Sequence, residues 1–176
     1  MAHVFPFSTF VGAHRNETRE QFLDAVAAPY LYFPNLPQLP DEPAPQFGTI
    51  RITPGLRAGM KTTADLTGQG IVELKKDIKL NAFGIMITLG RAQNNDLVVP
   101  DSRVSKFHAY FRQVGEQWSI TDANSTNGTI VDGISVPPER SHNLKSGALI
   151  ELSNAINVQF LLPEELYARV RGAVSG

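Results

Sequence analysis

A succession of short β-rich runs, each closed by a turn signal, limits the fold of this chain more than any other feature of it. Alternation begins at Ile71, with Val72, Leu74, Ile78 and Leu80 marking a first strand. Ile85 to Leu89 is a second run, and Leu97-Val98-Val99 is a short third closed by Pro100. In a fourth, Phe107, Ala109 and Phe111 alternate with His108, Tyr110 and Arg112. Gly115-Glu116 turns it into Trp118-Ser119-Ile120-Thr121, a hairpin with Trp118 and Ile120 on the buried face. Asn127-Gly128 and Asp132-Gly133 are tight-turn signals. Around them run Thr129-Ile130-Val131 and Ile134-Ser135-Val136, and Ala148 to Leu152 and Ile156 to Leu162 close the series. Many short strands at close spacing predict an all-β sandwich.

The segment ahead of this series reads differently. Residues 1–15 carry Phe5, Phe7, Phe10 and Val11 without a sustained period. A helix is predicted over about 16–28: Asn16 can cap, Thr18 and Gln21 have capping-box spacing, and Phe22, Leu23, Ala25 and Val26 make one apolar face. Pro29 stops it. Tyr30-Leu31-Tyr32-Phe33 is too apolar for a free tail and is expected to pack on the sandwich, on a second copy or on another protein. Pro34, Pro37, Pro40, Pro43 and Pro45 mark an extended connector. Thr49 to Thr53 is a brief strand-like run, and Gly55 to Gly70 reads as loop, with Arg57 and Lys61 in it. At the other end, Pro163 to Arg171 predicts a short helix, with Glu164 and Glu165 in its first turn and Gly172 placed to end it. The expected organisation is an N-terminal extension (1–47), a loop-rich lead-in (48–70), a β-domain (71–163) and a C-terminal helix and tail (164–176).

Bulk properties exclude several function classes. Net charge is −1 over 176 residues, so no global field draws the chain to nucleic acid or anionic membrane. There is no cysteine, which removes disulfides and thiolate metal sites and suits a reducing, cytoplasmic setting. The first residues carry no basic region followed by a long apolar core, and no apolar run is long enough to span a bilayer. His3, His14, His108 and His142 are scattered and lack metal-ligand spacing, so neither metal nor cofactor is expected.

The polar residues that interrupt the β-series fall at strand ends. They are Gly90-Arg91, Asn94-Asn95-Asp96, Ser105-Lys106-Phe107-His108, and Asp122 with Ser125-Thr126-Asn127-Gly128-Thr129. Loops of a sandwich cluster at its two ends, so these groups can converge. An arginine, two hydroxyls and an amide suit a tetrahedral oxyanion on a peptide better than a bond-breaking site. His108 with Ser105 and Asp122 invites a triad reading, but no nucleophile elbow accompanies Ser105, and a triad is defined by geometry.

The order Gly-Arg, Ser-x-x-His, Asp-x-x-Ser-x-Asn-Gly-Thr resembles a forkhead-associated (FHA) domain, over roughly Val72 to Pro163. The resemblance implies two packed, mostly antiparallel sheets. It implies that Arg91, Ser105 and Thr126 contact the phosphate of a phosphothreonine, with Lys106 at the rim and Arg103 as a lesser rim candidate. Asn127 is implied to hydrogen-bond the ligand's backbone. Gly90, His108, Asp122, Ser125 and Gly128 are implied to support the site. The function so implied is a non-enzymatic phosphopeptide reader in Ser/Thr kinase signalling. The rival expectation is a phosphate-independent assembly module that uses the helix over 16–28 and its aromatic tail. Where the first seventy residues lie, including whether they rest on the phosphate site, stays open at this stage.

Overall fold

A computed structural model describes residues 4–35, 68–76 and 84–175. The elements in order are β1 (Phe5–Pro6), α1 (Phe7–His14), α2 (Arg19–Ala25), β2 (Tyr30–Phe33), β3 (Gly70–Glu73), β4 (Ile87–Gly90), β5 (Leu97–Val98), β6 (Ala109–Val114), β7 (Gln117–Asp122), β8 (Thr129–Val131), β9 (Ile134–Ser135), β10 (Ser141–Leu144), β11 (Leu149–Leu152), β12 (Ile156–Leu161) and α3 (Pro163–Ser175). They form a β-sandwich of two packed sheets. One sheet has the strand order β1-β3-β2-β12-β11-β8-β9, and the other β10-β7-β6-β4-β5. β4 and β5 pair in parallel, and the other described pairs are antiparallel.

Leu31, Val72, Leu89, Phe111, Ile120, Ile150, Val158 and Phe160 fill the space between the sheets, all nearly or fully buried. Trp118 packs there too, its ring 6.0 Å from that of Phe160. A second cluster lies on the outer face of the seven-stranded sheet. It joins Phe7 and Phe10 of α1, Phe22 of α2 and Leu166 and Val170 of α3 to Tyr32, Ile71 and Leu161 of the strands. The three helices therefore cover one face of that sheet.

β2 explains itself from this arrangement. Leu31 and Phe33 face the core between the sheets, whereas Tyr32 faces the helices. A strand buried on both faces reads as a continuous apolar run and loses the period-two signal. Tyr30-Leu31-Tyr32-Phe33, read from sequence as part of the extension, is an inner strand between β3 and β12. The apolar surface that an assembly module would have offered is thus buried within the chain.

The predicted helix over 16–28 is shorter, at Arg19–Ala25, and begins with the expected capping box: Gln21 N donates to Thr18 Oγ1 at 3.3 Å and Thr18 N to Gln21 Oε1 at 2.9 Å. α1 was not foreseen. Phe7, Phe10 and Val11 have helical spacing, but eight residues are too few for a period to stand out. β10 was also missed, because this edge strand buries only Leu144 fully. Phe107, placed in the alternation of the fourth run, precedes β6 and is exposed. Gly172 does not end α3; Leu166 and Val170 hold the helix to the sheet, and it continues to Ser175. The proline-rich connector beyond Asn35, the run 49–53, most of the loop 55–70 with Arg57 and Lys61, and Ile78 and Leu80 lie outside the described residues.

Candidate functional site

Three connections meet at one end of the sandwich: residues 91–96 between β4 and β5, 99–108 between β5 and β6, and 123–128 between β7 and β8. Backbone hydrogen bonds join the first two. Arg91 N donates to Ser105 O at 2.9 Å, Ala92 N to Lys106 O at 3.1 Å, and His108 N to Leu89 O at 2.8 Å. Gly90 permits this approach. A Cβ there would lie 2.9 Å from the Lys106 carbonyl carbon, closer still to its oxygen, and 3.0 Å from Asn95 Nδ2. Asn95 then fastens the junction, donating from Nδ2 to Lys106 O at 2.7 Å and to Ala92 O at 2.8 Å. Asp96 anchors the far side of the same loop. Its buried carboxylate accepts from Thr88 N at 2.7 Å, from Thr88 Oγ1 at 3.0 Å and from Lys76 Nζ at 3.1 Å.

Beneath the loops runs a buried polar chain. Ser105 N–H donates to His108 Nδ1 at 3.3 Å, which places the ring proton on Nε2. Nε2 lies 3.2 Å from Thr129 Oγ1, and Thr129 Oγ1 donates to Asp122 Oδ2 at 2.6 Å. Asp122 also accepts from Ser125 N at 2.8 Å and Ser125 Oγ at 2.7 Å, and Ser125 Oγ accepts from Gly128 N at 3.0 Å. Gly128, at φ +79°, turns the chain there. Burial pushes the His108 imidazole below its ordinary pKa, against the opposing pull of the Asp122 carboxylate and the Gly128 carbonyl. The ring is accordingly neutral, and it joins the 105 loop to the 122–129 segment.

On the solvent side, Ser105 Oγ accepts from Thr126 N at 3.0 Å and lies 3.3 Å from Thr126 Oγ1. Arg91 and Lys106 are exposed, and among the described residues their charged heads have no hydrogen-bond or ion-pair partner. Asn127 donates from Nδ2 to Arg103 O at 2.8 Å, which leaves its amide oxygen as an acceptor. Arg103 itself is bound to Asp101 through Nε at 2.9 Å and Nη2 at 2.6 Å. That pairing holds the Asp101 carboxyl below its ordinary pKa and raises that of Arg103. A rim role for Arg103 therefore competes with this fork.

The structure places Gly90, Arg91, Ser105, Lys106, His108, Asp122, Ser125, Thr126, Asn127 and Gly128 in these three connections or at their edges. It links Ser105 to Thr126 directly and His108 to Asp122 through Thr129. Ser105 Oγ meets Thr126 and not the histidine ring, so no serine–imidazole pair of the hydrolase kind forms. The surface that results is a fixed set of hydroxyl and amide groups beside two exposed cations, which is suited to an oxyanion. Asn95, Asp96 and Thr129 have roles in joining the loops that their positions in the sequence do not announce. The Asn95-Asp96 pair, separated by three residues from Gly90-Arg91, is the available signal. Its use depends on a second loop sixteen positions away from Gly90, the loop that carries Lys106.

A family model described as FHA domain matches residues 87–153. An FHA domain-containing protein of Arabidopsis thaliana is 31% identical over 84 residues, which cover 46% of this chain and 22% of that protein. The oxoglutarate dehydrogenase inhibitor of Corynebacterium jeikeium is 36% identical over 63 residues, 36% of this chain and 42% of the inhibitor. The chain thus spans less than half the length of these curated relatives. A solved structure concerned with phosphothreonine-dependent FHA domain interactions is 30% identical, with a TM-score of 0.40, and covers 44% of this chain and 76% of that one.

Proposed function

We propose, on the premise that residues 87–153 of this chain are a forkhead-associated domain, that it reads phosphothreonine in a partner protein, downstream of a Ser/Thr kinase. One observation carries the reading: the Arg91 guanidinium is exposed and without a partner among the described residues, beside the Ser105–Thr126 pair. The loops that bear these groups are tied to each other and to the sheets, so little ordering remains to oppose binding.

The proposed mechanism is binding without bond-breaking. A phosphothreonine carries close to two negative charges at neutral pH and several acceptor oxygens. Arg91 supplies a planar fork for two of them and Lys106 adds rim charge. Ser105 and Thr126 reorient their hydroxyls from one another to the remaining oxygens. Asn127 offers its amide oxygen to a peptide N–H. An unphosphorylated threonine leaves these donors to water. His108, Asp122, Ser125, Gly90 and Gly128 act by holding the loops and do not touch ligand.

The test is a titration of the purified chain with phosphothreonine peptides and their unphosphorylated counterparts, read by fluorescence anisotropy. Binding that requires the phosphate is expected, and Arg91→Ala should weaken it at least about tenfold, as loss of a charge-assisted pair implies. Equal binding to both peptide forms, or binding indifferent to Arg91→Ala, would sink the reading.

A further inference from the structure

The candidate site ends on an aromatic surface. Phe107 follows Lys106 directly and is 41% exposed. Its ring stacks on that of Tyr110, at 6.2 Å between centroids and 14° between planes. Ala109 and Phe111 are fully buried in the inter-sheet core, so Tyr110 and Arg112 stand on the outer face of the five-stranded sheet. The Arg112 guanidinium lies over the Tyr110 ring, 5.9 Å from its centroid. Phe107, Tyr110 and Arg112 thus form one stripe that starts two residues from the Ser105 hydroxyl.

A single exposed aromatic residue is ordinary on a protein surface. Its position distinguishes this one. The other exposed large hydrophobic residues of the sandwich strands and turns that follow Gly84 are Ile85, Val114, Ile134 and Leu149. All four sit at the opposite end: Ile85 leads into β4, Val114 closes β6, Ile134 follows the β8–β9 turn, and Leu149 is hydrogen-bonded to Asp132 of that turn. Phe107 is alone among them at the end that carries Arg91, Ser105 and Thr126. Its stacking fixes the ring, so a ligand group that covers it gains apolar contact without first ordering the platform.

We infer that Phe107, stacked on Tyr110, is a specificity-determining platform that takes an aromatic or long aliphatic side chain of the phosphorylated segment. The inference rests on the phosphopeptide reading above. An extended peptide advances roughly 3.3–3.6 Å per residue. Phe107 lies two positions beyond Ser105, at most about 7 Å further along the chain, which places the favoured side chain within about three positions of the phosphothreonine.

The test is a set of phosphothreonine peptides on an alanine background, with each of the three positions on either side replaced in turn by Phe, Leu, Ser or Asp. Affinities are read by anisotropy for the full chain and for the Phe107→Ala, Phe107→Tyr and Arg91→Ala variants. The native chain is expected to prefer Phe and Leu over Ser at one of these positions by about fivefold, the scale of one partly buried apolar group. Phe107→Ala should bring that preference down to the affinity of the alanine-flanked peptide. Phe107→Tyr should retain it, which separates loss of the platform from loss of the fold. Phosphate-dependent binding with no apolar preference at any position would overturn this inference alone, as would a preference undiminished in Phe107→Ala. Binding without phosphate dependence would overturn it together with the reading on which it rests.

Discussion

Gly90 and His108 lie beneath the loops of the candidate site, where each joins one loop to another. The Lys106 backbone approaches Gly90 so closely that a methyl group has no room. Gly90→Ala is expected to force apart the loops that carry Arg91 and Ser105. The cost should be about 1–3 kcal/mol, typical of overpacking, with phosphopeptide affinity falling in parallel; calorimetric melting and anisotropy would measure the two effects. For His108 the direction is set by burial, which depresses its pKa in the fold. In the unfolded chain the ring titrates near pH 6.5, at about its ordinary value. Below that pH the unfolded state takes up a proton that the folded state resists, so stability is complete above it and declines as pH falls toward the depressed folded value. Melting temperature should therefore drop as pH falls below about 6.5, and His108→Gln, though less stable throughout, should lose this part of the slope. A native chain whose melting is flat across that window would refute the assignment.

Elements differ in what they contribute. The second hydrophobic cluster belongs to α1, α2 and α3 on the outer face of the seven-stranded sheet, whereas the candidate site belongs to loops of the other sheet and β8. Phe22→Ala should thus lower stability by about 3–5 kcal/mol, as removal of a buried phenyl ring does. Its phosphopeptide affinity, measured well below the new melting temperature, should stay within about twofold of native. A large loss of affinity in a folded Phe22→Ala protein would show coupling between helices and site that the contacts do not suggest. The same division explains what could be read from the sequence. Strands with one polar face, such as Ala109–Val114 with its alternating burial, declare themselves by period two. β2 does not, because both of its faces are covered, and β10 does not, because it buries so little. In the site, the identities and order of Arg91, Ser105, His108 and Asn127 were legible. The junction of Gly90, Asn95 and Lys106 was not, since it exists only when two loops meet. Nor was the Asp101–Arg103 fork, which depends on the conformation of one turn.

At the scale of the whole molecule, residues 4–35 are part of the fold. β2 lies between β3 and β12, and Phe33 pairs with Gly70. A chain lacking residues 1–35 is expected to lose cooperative unfolding, which thermal melting would show. A sharp melting transition in that truncated chain would contradict the placement of β2. The pairing of Phe33 with Gly70 has a further consequence, for covalent continuity. β2 and β3 are paired neighbours, so the chain leaves the sheet near Asn35 and returns to it near Gly68 at adjacent strands. Expressed together as two separate chains, residues 1–35 and 68–176 are expected to assemble into one sandwich, held by strand pairing and by the aromatic cluster around Phe22 and Tyr32.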